Sequence, residues 1–568
     1  MLMSVILYKE RLFADASYYL FKAINSGFFH VEHGRLVLGI SQLAPLLASY
    51  LHFPMQWVLI IASMGHELFY YSIFLFLFYR LNDRRGAIAV LLIHLIGQLW
   101  LYYSPMLEIC YGAALAVLFY ALLSKEKYKS DVSLVLLLLI QWFVMTSHPE
   151  NFILIAVGIG YDYLKRGFQK NIHLTTFLFL CIGFLIEIST FSAYEVGHAS
   201  QLMTNETVGN FKNLFSIPYW RGIEETARNF YPDLLILFFV AFYSILKRHA
   251  IKEFILFIGS VALLLLMVHA TFAANDFNRY NESLHSPLVF IIVFFAVYES
   301  FHWKKKHQMT FFVLCCGIAL LRVFWIYDYG KPLRLRMAQM DRLVDYAQNI
   351  GGSKFLINSD NYHSDYTSIT WANPIETLFC SAIDGKEQSL SIATEGEYKF
   401  NKNHKFLNDT NYIFRRFEIE PIDFLNGQYF VFEQGHYHYL NSARLEGDIA
   451  TLSKNVSVKQ DWRHVKEFYK TGDTALIRLH LHNKNDVYLP SKEDQKLYLS
   501  YHLYQNDELI EWNGIRTLLE VDLRGEYWQD MRIALPEEAG LYQIVPDIVV
   551  AGKGWFNLTE GTEIAVIY

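Results

Sequence analysis

The chain has 568 residues, of which 53% are hydrophobic and 17% aromatic, more apolar than the 45–50% or so of ordinary globular domains. Its formal net charge of −6 is small for that length and gives no single-sign field, which argues against a nucleic-acid partner. Of the cysteines, Cys110, Cys181, Cys315 and Cys316 fall in apolar segments and Cys380 stands alone beyond them, so no internal disulfide can staple the C-terminal part.

The apolar excess lies almost wholly in the first 327 positions. In chain order, Met1–Tyr8 is too short to cross a bilayer and reads as the stub of a truncated first helix. Residues 9–53 then read as an outer loop with two surface helices, an amphipathic one from Phe13 to Phe28 and an apolar one from Leu36 to Tyr50; the alternative is that 36–53 is itself a span. About ten apolar runs follow, at 55–79, 86–104, 109–123, 132–147, 151–164, 173–194, 233–247, 253–272, 288–301 and 309–327. The expected fold class is therefore a polytopic α-helical membrane bundle over 1–327. A mixed α/β region at 328–465 and an all-β sandwich at 466–568 follow it.

Basic residues occupy every second connection: Arg80/Arg84/Arg85, Lys125/Lys127/Lys129, Lys165/Arg166/Lys170, Lys247/Arg248/Lys252 and Lys304/Lys305/Lys306. The positive-inside rule places these in the cytoplasm and puts 9–53, 105–108, 148–150, 195–232, 273–287 and everything from Asp328 onward outside.

Ionisable residues at that outer face are the candidate functional groups, because charge at a membrane is costly unless it serves a purpose. Asp15 sits near Glu10, Arg11 and Arg35, where a carboxylate beside guanidinium groups suits a general base with an arginine holding a phosphate. Glu108 lies in a very short outer turn. His148, Glu150 and Asn151 share another, and Arg279, Glu282 and His285 precede the 288–301 helix. Asp15 and Glu108 are the candidate ligands should a divalent metal ion take part. His66-Glu67 and Glu187 fall within spans, where pairing inside the bundle competes with a functional role.

Beyond Asp328 a charged helix from Leu335 to Ala347 ends near Gly351-Gly352, and Phe355–Ile357 and Tyr429–Phe432 read as strands. From Asp461, alternating runs at Ala475–His482, Leu497–Tyr504, Ile515–Val521, Met531–Ala534 and Leu541–Val549 predict the sandwich.

This layout, with an acid in a long first outer loop bearing surface helices, a second acid in the next outer turn and an exported C-terminal part, resembles the GT-C glycosyltransferases. The resemblance covers residues 9–327 and implies a polyprenyl-phosphate-linked sugar donor, a glycan or lipid acceptor and a bacterial inner-membrane location with the C-terminal part in the periplasm. By the same resemblance Asp15 is the first-loop base or metal ligand and Glu108 the second-loop acid. Asp15 is followed by Ala16 where some members carry a second acid. Separately, Leu499–Tyr504, Trp512–Thr517, Pro536–Tyr542 and Gly554–Phe556 resemble the Ig-like modules attached to bacterial surface-polysaccharide proteins. Two other classes remain in view: a transporter or flippase of lipid-linked saccharides, which needs a polar path through the bilayer, and a non-catalytic envelope scaffold.

Overall fold

The computed structural model describes residues 1–105, 108–125, 131–190, 196, 212, 214–271, 279–358, 369–400, 409–414, 419–441, 443, 445–461, 469–491, 496–558 and 560–567. The tails of the predicted spans 173–194 and 253–272, the basic loop at Lys127 and Lys129, and Met106-Leu107 before Glu108 lie outside them. The chain forms two compact units, Met1–Lys331 and Pro332–Tyr568.

In the first unit a short helical turn, Leu2–Ile6, precedes α1 (Asp15–Ser26) and α2 (Val37–Tyr50), the two expected outer-loop helices. The predicted apolar runs are then largely helical, except that 86–104 breaks after Ile96 and resumes as a 3-10 turn at Leu101–Tyr103: α3 (Met55–Leu75, prolonged by a π turn at Phe76–Arg80), α4 (Arg84–Ile96), α5 (Glu108–Leu123), α6 (Asp131–Met145), α7 (Phe152–Arg166) and α8 (Lys170–Ser189). After α9 (Ile217–Phe230) come α10 (Pro232–Lys247), α11 (Ile251–Thr271), α12 (Arg279–Leu284), α13 (Ser286–Ser300) and α14 (Lys305–Tyr329).

Helicity does not make each of these a crossing. Among the described residues four helical segments are long and apolar enough to span a membrane: Met55–Arg80, Lys170–Ser189, Ile251–Ala270 and the one that starts at Lys305. Joining α9 to α10, which meet at a 101° bend, gives a fifth. The others are short; α5 has 16 residues and α13 has 15, so at a rise of about 1.5 Å per residue they fall well below a hydrocarbon core of about 30 Å.

Burial explains why α5 and α13 are nonetheless so apolar. Every residue of α5, and every residue of α13 except the half-buried Leu288, is buried, the pattern of helices surrounded by protein. They form the centre of the unit, with α4, α6, α7 and α10 packed around them. The close approach of α5 to the chain after α6 depends on Gly112, where a Cβ would fall 2.1 Å from Ser147 Oγ. Helix α8, by contrast, exposes Phe177, Leu178, Phe184 and Leu185, as a helix facing lipid does.

The second unit opens with α15 (Lys331–Ile350), which stops where Gly351 and Gly352 take φ values of +84° and +109°. Strand β1 (Lys354–Ile357) pairs in parallel with β2 (Ser391–Thr394) and β5 (His438–Tyr439), and α16 (Asn373–Ala382) packs on β2. A small antiparallel pair, β3 (Tyr412–Phe414) and β4 (Ile419–Pro421), lies between β2 and β5 in sequence.

The sandwich has two sheets. One, in the order β12–β8–β6, joins β6 (Val456–Gln460), β8 (Thr474–Asn483) and β12 (Gly525–Ala534). The other runs β10–β9–β13–β15–β7 from β7 (Tyr469–Lys470), β9 (Leu497–Gln505), β10 (Glu508–Glu511), β13 (Gly540–Val550) and β15 (Thr562–Ile567), with β11 (Thr517–Leu518) on β9 and β14 (Gly554–Trp555) on β13. Strand β6 precedes position 466, so the sandwich begins earlier than the composition suggested.

Two predicted strands are corrected. Tyr429–Phe432 is irregular; Tyr429 and Phe430 are buried, and Phe430 meets the ring of Phe379 on α16 rather than joining a ladder. Ile515–Val521 shrinks to Thr517–Leu518, because the Glu520 N–H donates to the Gln529 side chain at 2.9 Å instead of to a neighbouring strand.

Met340, Leu343 and Ala347 of α15 share one hydrophobic core with Leu479, Leu499 and Ile544 of the sandwich. Arg342 crosses that contact to Glu520 at 3.1 Å and Asp530 at 3.3 Å, and Arg478 meets Asp530 at 3.0 Å. Removing one partner of such a cluster strands the others in the interior. Arg342→Met is expected to destabilise this unit by about 3–5 kcal/mol, measured by denaturant unfolding of the purified chain; a shift below about 0.5 kcal/mol would show that the cluster does not hold α15.

Candidate functional site

The site is assembled from the segment before Met55 and three later turns. After the 3-10 turn Glu10–Leu12, Ala14 adopts φ 56° and ψ −116°, a reversal that a residue with a side chain seldom makes, and α1 starts at the next residue, Asp15. This reversal sends Arg11 and Asp15 to different partners.

Arg11 is buried. It donates to the Tyr102 carbonyl at 2.8 Å, lies over the Tyr102 ring at 4.0 Å and pairs with Glu67 at 3.1 Å, while Glu67 also meets His94 at 2.8 Å. His66 Nδ1 bonds the Tyr111 hydroxyl. The His66-Glu67 pair is thus satisfied inside the bundle, and Arg11 serves packing rather than Asp15. Glu10 is half-buried at the same turn.

Asp15 pairs instead with Arg279 at the start of α12, and Arg279 also donates to Ser104 Oγ at 3.1 Å. Glu108, the first residue of α5, pairs with Arg35. The expectation that Arg11 and Arg35 flank Asp15 is therefore corrected: each acid has a single arginine, drawn from a distant segment. Tyr19, one turn beyond Asp15, feels a member of each pair, Asp15 and Arg35. Its phenol is pushed up by burial first, then by the Asp15 and Glu32 carboxylates, against the pull of the Arg35 guanidinium. Glu32 is held below the usual carboxylate range, since hydrogen bonds from His30 and Tyr18 outweigh the burial that would raise it.

Beside Arg35 stands the turn between α6 and α7. Burial and the Arg35 charge push the His148 imidazole down to about 3, so it is neutral at pH 7. Its Nδ1 accepts from the Glu150 N–H at 3.3 Å, which leaves the ring proton on Nε2. Glu150 has no counter-charge among its influences: burial alone pushes its carboxyl up to about 8, and Oε2 has no hydrogen-bond partner among the described residues. Asn151 is committed to structure, donating to the Ile109 carbonyl at 3.1 Å and to Ser147 Oγ at 2.8 Å.

On α12, Glu282 closes the break after α4. It accepts from the Leu99 and Leu101 N–H groups and from the Tyr231 hydroxyl at 2.9 Å, yet burial still pushes it up to about 7. His285 belongs to a hydrogen-bonded chain. The Tyr219 hydroxyl donates to His269 Nδ1 at 2.5 Å, His269 Nε2 donates to His285 Nε2 at 3.3 Å, and His285 Nδ1 donates to the Asn281 carbonyl at 2.7 Å. Both rings are neutral in this arrangement. His269, Asn281, Glu282 and His285 form the polar end of a cavity of about 310 Å³ lined otherwise mainly by apolar side chains, among them Leu234, Phe238, Val261 and Leu288.

Among the described residues no three His, Cys, Asp or Glu side chains converge as a metal cage would require. Asp15 and Glu108 each face a guanidinium, so the donor set does not fit a divalent ion. Tyr19, Ser104, His269 and Tyr219 are the site residues that the sequence did not single out; only the position of His269 near the outer end of an apolar run offered a signal. Searches against protein-family models, curated proteins and solved structures returned no match.

The Glu150 carboxyl, raised from about 4.5 to about 8 on folding, makes the folded state bind more protons than the unfolded one across that window. Its contribution to stability is therefore neutral below pH 4.5 and becomes unfavourable as pH rises toward 8. Glu150→Gln is expected to raise the Tm at pH 8.5 by at least about 3 °C and to leave it unchanged at pH 4.5; equal Tm values at both would place Glu150 in contact with water.

Proposed function

We propose that this chain is a membrane glycosyltransferase of the GT-C type, moving a sugar from a polyprenyl-phosphate donor to an envelope glycan or lipid acceptor at the outer face of a bacterial inner membrane. The observation that carries it is the pairing of Asp15 with Arg279 and of Glu108 with Arg35 around Tyr19, with α12 linking Arg279 to an apolar cavity.

In the reaction the acceptor hydroxyl attacks the anomeric carbon, the carbon–oxygen bond to phosphate breaks, and polyprenyl phosphate leaves. The acceptor proton goes to Asp15, the more exposed of the two acids, with 28% of its side chain open against 6% for Glu108. Arg279 Nε has no hydrogen-bond partner among the described residues, so the guanidinium retains a donor for a donor phosphate. A phosphate drawing on Arg279 loosens its hold on Asp15 and raises the basicity of that carboxylate, coupling donor binding to proton acceptance. The cavity beside α12 is of the right character for the first units of an isoprenoid chain.

The opposite end of the bundle supports the orientation. Lys165 meets Glu253 at 3.1 Å and Glu299 at 2.8 Å, and Arg248 also pairs with Glu299, which brings together loops assigned to the cytoplasm. About ten spans with an exported C-terminal part remain the topology that these loops imply.

Asp15→Asn protein reconstituted in proteoliposomes is expected to transfer labelled sugar from a polyprenyl-phosphate donor about 10²–10⁴-fold more slowly, with normal insertion. Transfer at the wild-type rate would refute the base assignment, and sugar flux without glycosidic bond formation would point to a flippase.

A further inference from the structure

The sandwich carries an aromatic cluster that nothing in the proposed reaction uses. The β9–β10 hairpin turns at Asn506-Asp507, both at positive φ, and the chain leaves β10 through Trp512 before returning to β9 as β11. Trp512 is 45% exposed, and its ring stacks on the buried His502 ring with centroids 3.9 Å apart and planes 20° from parallel. Trp555, half-buried in β14, packs against the other side of this group, 4.5 Å from His502 and 5.9 Å from Trp512 at an interplanar angle of 61°. Two indoles thus meet at an open angle on one surface.

The arrangement is built, not incidental. His502 Nδ1 donates to the Trp512 carbonyl at 2.5 Å, and its Nε2 lies 3.3 Å from the Asp547 carboxyl. Asp547 has no exposed surface and accepts from the Asn557 N–H at 3.0 Å and the Leu558 N–H at 3.2 Å. One buried acid therefore fixes both the histidine beneath Trp512 and the loop that follows Trp555. Gly514 completes the support: its N–H donates to the Tyr501 carbonyl at 3.1 Å, and a Cβ there would fall 2.4 Å from the Tyr501 ring. A mere core histidine needs no pair of tryptophans, one exposed and one half-buried, packed against it.

Around the two rings stand exposed hydrogen-bonding side chains: Glu511, Asn513, Arg516 and Asn557. Arg516 reaches Asn513 at 3.4 Å, and the Glu511 carboxylate accepts from the Asn513 N–H at 2.8 Å. Rigid aromatic faces bordered by amides, a guanidinium and a carboxylate match one ligand chemistry closely. A pyranose offers an apolar face of C–H groups to stack on an indole, and a ring of hydroxyls that both donate and accept at its edge. A protein partner would need roughly 800 Å² on this side, more than two indoles and their border supply.

We infer that Trp512 and Trp555, held by His502 and Asp547, form a saccharide-binding site on the sandwich, with Asn513, Arg516 and Asn557 reading the sugar's hydroxyls. The site stands on residues of this unit alone, so it does not depend on the transferase reading.

The test uses the full chain in lipid nanodiscs, since maltoside and glucoside detergents would themselves compete. Maltohexaose, chitohexaose and mannohexaose serve as probes, titrated by calorimetry up to about 10 mM. At least one is expected to saturate the protein, with Trp512→Ala and Trp555→Ala each weakening binding tenfold or more and Trp512→Phe retaining part of it. Asn557→Gly, which accepts the positive φ of 57° without strain, is expected to change the ranking of the three probes while the thermal transition stays in place, which separates contact from folding. No saturation by any probe, or equal binding by the Trp512→Ala/Trp555→Ala double variant, would overturn the assignment; capture of a protein on this face with no response to sugars would do the same.

Discussion

Charge buried in an apolar bundle must be answered where it lies, and this constraint organises the first unit. Without water to solvate it, an unpaired ion costs several kcal/mol, so each buried charge has to find its opposite on a neighbouring helix. Arg322 with Asp233, Glu299 with Lys165 and Arg248, Asp162 with Arg166 and His173, and Arg11 with Glu67 and His94 all obey it. Most of these contacts join two or more helices, so the same pairs that neutralise charge also set which helices can be neighbours.

The candidate site is a local variation on that rule. Asp15 and Glu108 follow it through Arg279 and Arg35, whereas Glu150, half-buried with its Oε2 shielded, and Glu282, buried, lack a full counter-charge and are pushed toward the protonated form. These turns therefore hold carboxyl groups of two kinds, one paired with arginine and one pushed toward the protonated form by burial. Environments that separate like groups in this way are found at acid–base sites, and buried structural networks shift carboxyl groups by the same physics.

Much of the layout was legible from the chain. Most of each described apolar run became helix, and the candidate acids lie in or beside the connections expected, because both depend on local composition. The pairings were not legible. Asp15 was matched with nearby Arg11 and Arg35, but the turn at Ala14 and the packing of Tyr102 decide where Arg11 goes, and neither follows from spacing. Composition is ambiguous at α5 and α13: both are apolar along nearly their whole length, which burial by other helices explains as well as lipid would. In the sandwich, alternation found the long strands β8, β9 and β13, while β11 and the Tyr429 segment were misjudged because side chains, not neighbouring strands, take up their backbone or bury their rings.

The Asp15–Arg279 pair has a consequence for how the molecule is made. Its partners lie 264 positions apart, on opposite sides of nearly all the apolar helices, whereas Glu108 and Arg35 are 73 apart. As ribosomes deliver the chain from the N-terminus, the Arg35–Glu108 contact can close while most helices are still unmade, but Asp15 must wait for α12 to arrive. A partly inserted chain thus holds the Arg35–Glu108 pair alone, and only a chain whose α12 has arrived joins α1 to the last third of this unit.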